Sequence, residues 1–167
     1  FLGNNLWLAA VAPTVAPLIK TDFAEVEDAT RLLRPGEVSI TIADEQYQED
    51  ALVIADTNVF DFFDLRFVDG DPETALARPT DLVMTRRAAE RYFGSENPIG
   101  QSINFMGQAD LTVTAIIEDL PHNTHMSFEL IGSMEAIPVI LGPDELQSWG
   151  SNNYYTYLRL PAGYVDE

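Results

Sequence analysis

The stretch LVMTRRAAERYFGSENPIGQSI, Leu82–Ile103, decides how this sequence reads. It continues an apolar strand over Asp81–Thr85. Thr85 then stands where a helix N-cap belongs, and Arg86–Phe93 carries Ala88, Ala89, Tyr92 and Phe93 along one face at helical spacing. Gly94 follows the last helical residue, the place where a left-handed backbone ends a helix. Asn97–Gly100 reads as a turn in which Pro98 sets φ and Gly100 accepts a positive φ, and Gln101–Met106 reads as a strand. The two glycines superficially suggest a phosphate loop. Such a loop lies between a strand and the helix after it, so that the first helical amides meet the anion, and it needs Lys followed by Ser or Thr after its second glycine. Here the glycines come after the helix, and Gly100 is followed by Gln101 and Ser102. The stretch is therefore architecture rather than a nucleotide site.

Upstream, Ala12–Phe23 predicts a short helix with its prolines in the first turn and Leu18, Ile19 and Phe23 on one face. Val26–Leu33 and Glu37–Ile42 read as strands joined by the turn Arg34–Glu37, and Val38, Ile40 and Ile42 alternate with Ser39 and Thr41. Asp50–Asp56 is a third strand. Thr57–Leu65 changes to a helical period, capped by Thr57 or Asn58, with Val59, Phe62 and Phe63 inward; Val68–Pro72, around Gly70, is a loop. Downstream, Asp110–Asp119 pairs with Gln101–Met106 around Gly107, and Ser127–Met134 is a strand. Gly142–Trp149 is a short helix, and Tyr154–Leu160 is a closing strand of alternating aromatics. The expectation is an α+β fold of mixed short-strand sheets and short helices, one domain over residues 1–167 arranged as two small lobes. Its core is expected at Val38, Ile40, Val53, Phe62, Val83, Phe93, Ile103, Val113 and Ile117.

Composition narrows the function classes. The chain has 167 residues, of which 46% are hydrophobic, enough for a real core. Twenty-seven acids against nine bases give a net charge of −18. That field excludes nucleic acid, which needs Lys and Arg to displace counterions, disfavours anionic membranes and attracts cationic partners. There is no cysteine, so disulfides and thiolate metal sites are excluded. The longest apolar stretch, Leu6–Ile19, is shorter than the ~20 residues of a bilayer span and contains Pro13 and Pro17. The first residues lack the charged start of a signal peptide, and the abrupt ends suggest a piece of something longer.

Four groups of side chains are candidates for chemistry. His122 and His125, three apart with Glu118 and Asp119 near, are ligand types zinc accepts; Pro121 and Asn123 mark a turn, and no third strong ligand follows at helical spacing. Paired carboxylates would serve a hydrolase, but none of the acids stands in a recognisable catalytic frame. Arg86, Arg87 and Arg91 put three of the nine basic residues on one short helix. Arg86 and Arg87 oppose its dipole, and Arg86 is placed to pair with Glu90. They read as a charged face within acidic surroundings or as a docking patch for an acidic neighbour. Trp149, Tyr154, Tyr155 and Tyr157 suit either sheet packing or stacking on a sugar or peptide.

Together these segments resemble the MacB-like periplasmic core domain of FtsX-type ABC transporter permeases. The resemblance runs through Ala16–Leu32, through Val53–Leu76 with its aromatic helix and Gly-Asp-Pro turn, and through Leu82–Ile103 with its Tyr-Phe-Gly stop and Pro-Ile-Gly turn. It continues over Leu111–Glu129, with Glu-Asp-Leu-Pro and a histidine after it, and ends in Ser151–Leu160. The resemblance implies a non-enzymatic extracytoplasmic domain, without cofactor, of a permease in the inner membrane. It implies a second permease subunit and a cytoplasmic ABC ATPase as partners, with a periplasmic adaptor or substrate outside. It assigns Gly70, Gly94, Pro98 and Gly100 to turns. The first fifteen residues match poorly, and such domains run on past the aromatic strand, so a lobe incomplete at Glu167 is expected. The alternatives are a free-standing periplasmic peptide- or glycan-binding module, with a pocket around Trp149 and Tyr155, and a carboxylate hydrolase.

Overall fold

The computed structural model describes residues 10–121, 123–124 and 126–164. The strands are β1 (Ala10–Val11), β2 (Asp28–Leu33), β3 (Val38–Ile42), β4 (Glu45–Glu49), β5 (Leu52–Ala55), β6 (Phe67–Asp69), β7 (Asp81–Thr85), β8 (Ser102–Phe105), β9 (Ala109–Ile117), β10 (Leu130–Ser133) and β11 (Tyr154–Arg159). The helices are α1 (Val15–Asp22), α2 (Val59–Phe62), α3 (Arg86–Phe93) and α4 (Ile137–Ile140), with 3-10 turns at Met134–Ala136 and Glu145–Gln147. All eleven strands share one sheet, in the order β1-β11-β2-β5-β10-β7-β9-β8-β3-β4, with β6 also on β9. Two pairs, β5 with β10 and β7 with β9, are parallel, and the rest are antiparallel. The fold is mixed α+β.

Why the middle of the sheet is apolar without interruption follows from its two covered faces. β5, β7 and β10 are buried along their whole length. Successive residues of a strand point to opposite faces, so a strand covered on both reads as a continuous apolar run rather than an alternation. Val53, Val83 and Ile131 enter one cluster with Val59, Phe60, Ala115, Ile117 and Phe128. Their neighbours Leu52, Leu82, Met84 and Leu130 enter another with Ile40, Ala88, Ile103 and Val113. Each large side chain so enclosed contributes about 1.5–3 kcal/mol. The described residues form one sheet with an apolar core on each face.

In the central stretch the strand, the N-cap and α3 fold as read, while Gly94 has a positive φ outside the left-handed helical region and the turn sits one residue later than read, at Pro98–Gln101. Thr85 Oγ1 accepts the amide of Ala88 at 3.2 Å, α3 runs Arg86–Phe93, and Gly94 donates its N–H to Glu90 O at 3.0 Å. The β8–β9 hairpin pairs Ser102 with Thr112 through Phe105 with Ala109. Elsewhere the structure departs from expectation. β2 and β3 are consecutive but unpaired: β2 lies between β11 and β5, and β3 between β8 and β4. Alternation in a strand fixes which face it buries, not which strand it joins. β4, Glu-Gln-Tyr-Gln-Glu, has almost no apolar signal and is a strand because the turn at Ala43–Asp44 folds it back on β3. Phe67–Asp69 is a strand where a loop was expected from Val68. Gly142–Trp149 holds only the 3-10 turn Glu145–Gln147, while Ile137–Ile140, too short to show a period, is helical. α1 starts at Val15 and ends before Phe23, which is 55% exposed. Phe60 rather than Phe62 takes the buried place on α2, and Phe62 and Phe93 are half-buried.

Candidate functional site

The three arginines of α3 mark the region that the sequence singles out most strongly. All three are exposed, and two of them, Arg87 and Arg91, pair with acids. Arg91 Nη2 donates to Glu49 Oε2 at 2.7 Å, its Nη1 meets Glu129, and its guanidinium lies 4.5 Å from the centre of the Tyr92 ring. Arg87 Nε pairs with Glu129 Oε1 at 3.0 Å. Glu49 is almost wholly buried; it also accepts the Tyr92 hydroxyl and, through Oε1, the Ala51 amide at 2.8 Å. Burial, and then the Glu49 carboxylate, raise the Tyr92 phenol well above its ordinary value. Burial alone would lower Arg91, but the Tyr92 hydroxyl, Glu129 and Glu49 outweigh it and raise it. α3 is thus clamped to β4 and to the start of β10 by charges that cancel locally. Among the described residues Arg86 makes no ion pair, with Glu90 or any other acid, and it stays exposed. The dipole misfit is offset by Asp119, whose Oδ1 accepts the Arg87 amide at 2.9 Å in the first turn of the helix.

The turn residues hold the strands around α3 in register. Gly70, at φ 92°, follows β6 where it crosses β9; a Cβ there would lie 2.5 Å from that of Ala115. Gly94 has φ 60° and ψ −117°, with open space around the missing Cβ. The turn after it is closed by Gln101 N–H to Pro98 O at 3.0 Å, so Pro98 opens the turn and Gly100 occupies its third position. Gly100 also donates to Val113 O at 2.8 Å and thereby extends the ladder to β9.

A second polar knot lies across the sheet. Arg31 on β2 grips Asp56 with Nη2 at 2.7 Å and Nε at 2.9 Å, and its Nη1 reaches Pro13 O at 3.1 Å. Burial would lower Arg31, but Asp56 raises it. Lys20 and Asn58 both bond Asp28; burial would raise that carboxyl, but Lys20, the Ala29 amide and Asn58 outweigh it and lower it. Sequence reading did not single out Arg31, Asp56, Glu49 or Glu129, and it noted Asp119 only as a neighbour of His122 and His125 rather than as an acceptor for the first turn of α3. The one local signal was a charge in phase with inward residues, as Glu49 is with Tyr47.

The remaining candidates are placed as follows. His122 and His125 lie outside the described residues. Among the described residues no group of three His, Asp or Glu is placed to hold a metal. Trp149 is 66% exposed, whereas Tyr155 packs against the core cluster that holds Val53 and Ile131, and Tyr154 is wholly buried. No helix among the described residues is long and apolar enough to cross a membrane.

No protein-family model matches the sequence, and no curated protein matches it. Solved structures do. A domain from a Porphyromonas gingivalis protein described as a permease superposes with a TM-score of 0.82 at 23% identity, over 94% of this chain. The chain spans 65% of that domain's length. The periplasmic region of MacB from Actinobacillus actinomycetemcomitans gives 0.69 at 14% identity, over 93% of this chain and 67% of its own. The extracellular domain of the ABC-type transporter YknZ, from Gram-positive bacteria, gives 0.69 at 15% identity, over 93% of this chain and 75% of its own. By its fold, the chain is a counterpart of the MacB periplasmic region, the YknZ extracellular domain and the permease domain.

Proposed function

We propose that this chain is an extracytoplasmic domain of a MacB/FtsX-like ABC transporter permease, anchored in the inner membrane by segments outside it and facing the periplasm. It performs no chemistry. It relays motion: ATP hydrolysis by a cytoplasmic ABC ATPase shifts the membrane spans, and the domain moves against that of a second permease subunit to drive export, lipoprotein release or a cell-wall process. The observation that carries this reading is the likeness of fold over nearly the whole chain to a domain described as part of a permease, to the periplasmic region of MacB and to the extracellular domain of an ABC-type transporter. The sheet agrees with it. Strands buried on both faces, tied by the Arg91–Glu49 and Arg31–Asp56 pairs, suit a part that transmits force without deforming.

The test is topological. Alkaline phosphatase, active only outside the cytoplasm, is fused after Glu167 in the parent polypeptide expressed in bacteria. The reading expects phosphatase activity in the membrane fraction that high salt does not release, and co-isolation of an ATPase. An inactive reporter, or activity in the soluble fraction, contradicts it.

A further inference from the structure

The strand order ends at β4, which pairs only with β3 among the described residues, so its outer edge is free. Exposed edges are usually blocked by Lys, Pro, a bulge or a covering loop. β4 has no Lys and no Pro; of its exposed side chains, Gln46 and Gln48 are neutral and Glu45 is acidic. On one face of the hairpin, Glu45, Tyr47 and Glu49 lie opposite Ile42, Ile40 and Val38. Beside that face a groove of about 620 Å³ opens toward the end of α3, walled by Asp44, Glu45, Tyr47, Tyr92, Phe93 and Glu96. No basic residue lines it. The nearest base, Arg91, lies over the Tyr92 ring and is committed to Glu49 and Glu129. Tyr47 and Tyr92 meet edge to face with ring centres 5.1 Å apart. Glu45 accepts the Tyr47 hydroxyl at 2.6 Å, while the carboxylates of Asp44 and Glu96 have no hydrogen bond or ion pair among the described residues.

We propose that the β4 edge and this groove together form a docking site for an extended, Lys- or Arg-bearing segment of a partner protein. The segment adds a strand to β4 through main-chain hydrogen bonds. Its cationic side chains on one face enter the groove, where they meet Asp44, Glu45 and Glu96 and the aromatic faces. Charge complementarity selects the occupant. The groove is acidic within a molecule of net charge −18, which steers a basic partner toward it and repels an acidic one. A second copy of the chain is disfavoured, because pairing β4 with β4 sets Asp44 and Glu45 against their like. The site does not depend on the transporter reading: the edge and the groove are properties of this chain alone.

The probe is the peptide acetyl-Lys-Thr-Lys-Val-Lys-Thr-Lys-amide, titrated into the isotopically labelled chain at low ionic strength and followed by amide chemical shifts. Shifts are expected to concentrate on Glu45–Glu49, Tyr92 and Glu96. The triple substitution D44N/E45Q/E96Q is expected to weaken binding about tenfold or more while leaving the other amide shifts, and so the fold, unchanged. Methylating alternate backbone nitrogens of the peptide is expected to abolish binding, because it keeps the charge but removes the ladder. No binding, shifts scattered over the acidic surface, equal binding by the methylated peptide or indifference to the triple substitution each overturn the proposal. So does a dimer in solution that is lost when β4 is altered.

Discussion

Two glycines of positive φ are expected to respond unequally to substitution. At Gly70 a methyl group would sit 2.5 Å from Ala115 Cβ and 2.7 Å from its Cα, inside the contact of β6 with β9. At Gly94 the same space is empty, and only the backbone conformation resists a side chain. Gly70→Ala should therefore cost about 2–4 kcal/mol, strain and overpacking together, and Gly94→Val about 1–2 kcal/mol. Urea midpoints of the two variants give the comparison; equal losses would mean that the close approach to Ala115 is not real. The Arg91 knot yields a second expectation. Arg91→Met leaves Glu49 buried without its cation and should cost about 2 kcal/mol, less than a fully enclosed pair because Arg91 itself is part exposed. Adding Glu49→Gln should restore more than half of that loss. A double variant less stable than the single one would show that Arg91 acts through packing instead.

At the scale of elements, what was legible depended on how much of the signal is local. α3 and its stop were readable residue by residue, because cap, apolar face and glycine all lie within ten positions and agree. β4 was not, because a hairpin arm with one half-buried tyrosine owes its conformation to β3. Partnership was not legible either: nothing in Asp28–Leu33 or Val38–Ile42 tells that the sheet sends them to opposite halves of the strand order. The candidate site was half visible. The arginines of α3 stood out in so acidic a chain, while their partners Glu49 and Glu129 were hidden among twenty-seven acids until the fold brought them together. β11 supplies a prediction of its own. Tyr154, wholly buried, donates to Glu145 Oε1 at 3.2 Å and so ties the strand to the turn at Glu145–Gln147. Burial, and then the Glu145 charge, push its phenol from 10.0 up to about 12. A group whose folded value is raised stabilises below its unfolded value and loses that contribution as pH rises through the folded one. Stability should therefore fall between about pH 10 and about 12, and Tyr154→Phe should flatten that limb. Melting temperatures across that range provide the check; identical alkaline limbs would contradict the assignment.

For the molecule as a whole, the unbroken sheet with a core on each face implies a body that moves without bending. β11 and β8 lie far apart in the strand order, separated by β2, β5, β10, β7 and β9. The chain contains no cysteine, so spin labels can be placed singly or in pairs without background. Exposed Asn153, just before β11, and exposed Gln108, in the β8–β9 turn, are suitable positions. For the proposed function, the decisive measurement is the set of electron-spin distances in the proposed transporter, with and without ATP, for Asn153→Cys and Gln108→Cys. The account predicts that the distance between the two labels within one chain stays constant while the distance between Gln108 labels on two copies changes with nucleotide. A change within the chain, or no change between copies, would contradict it.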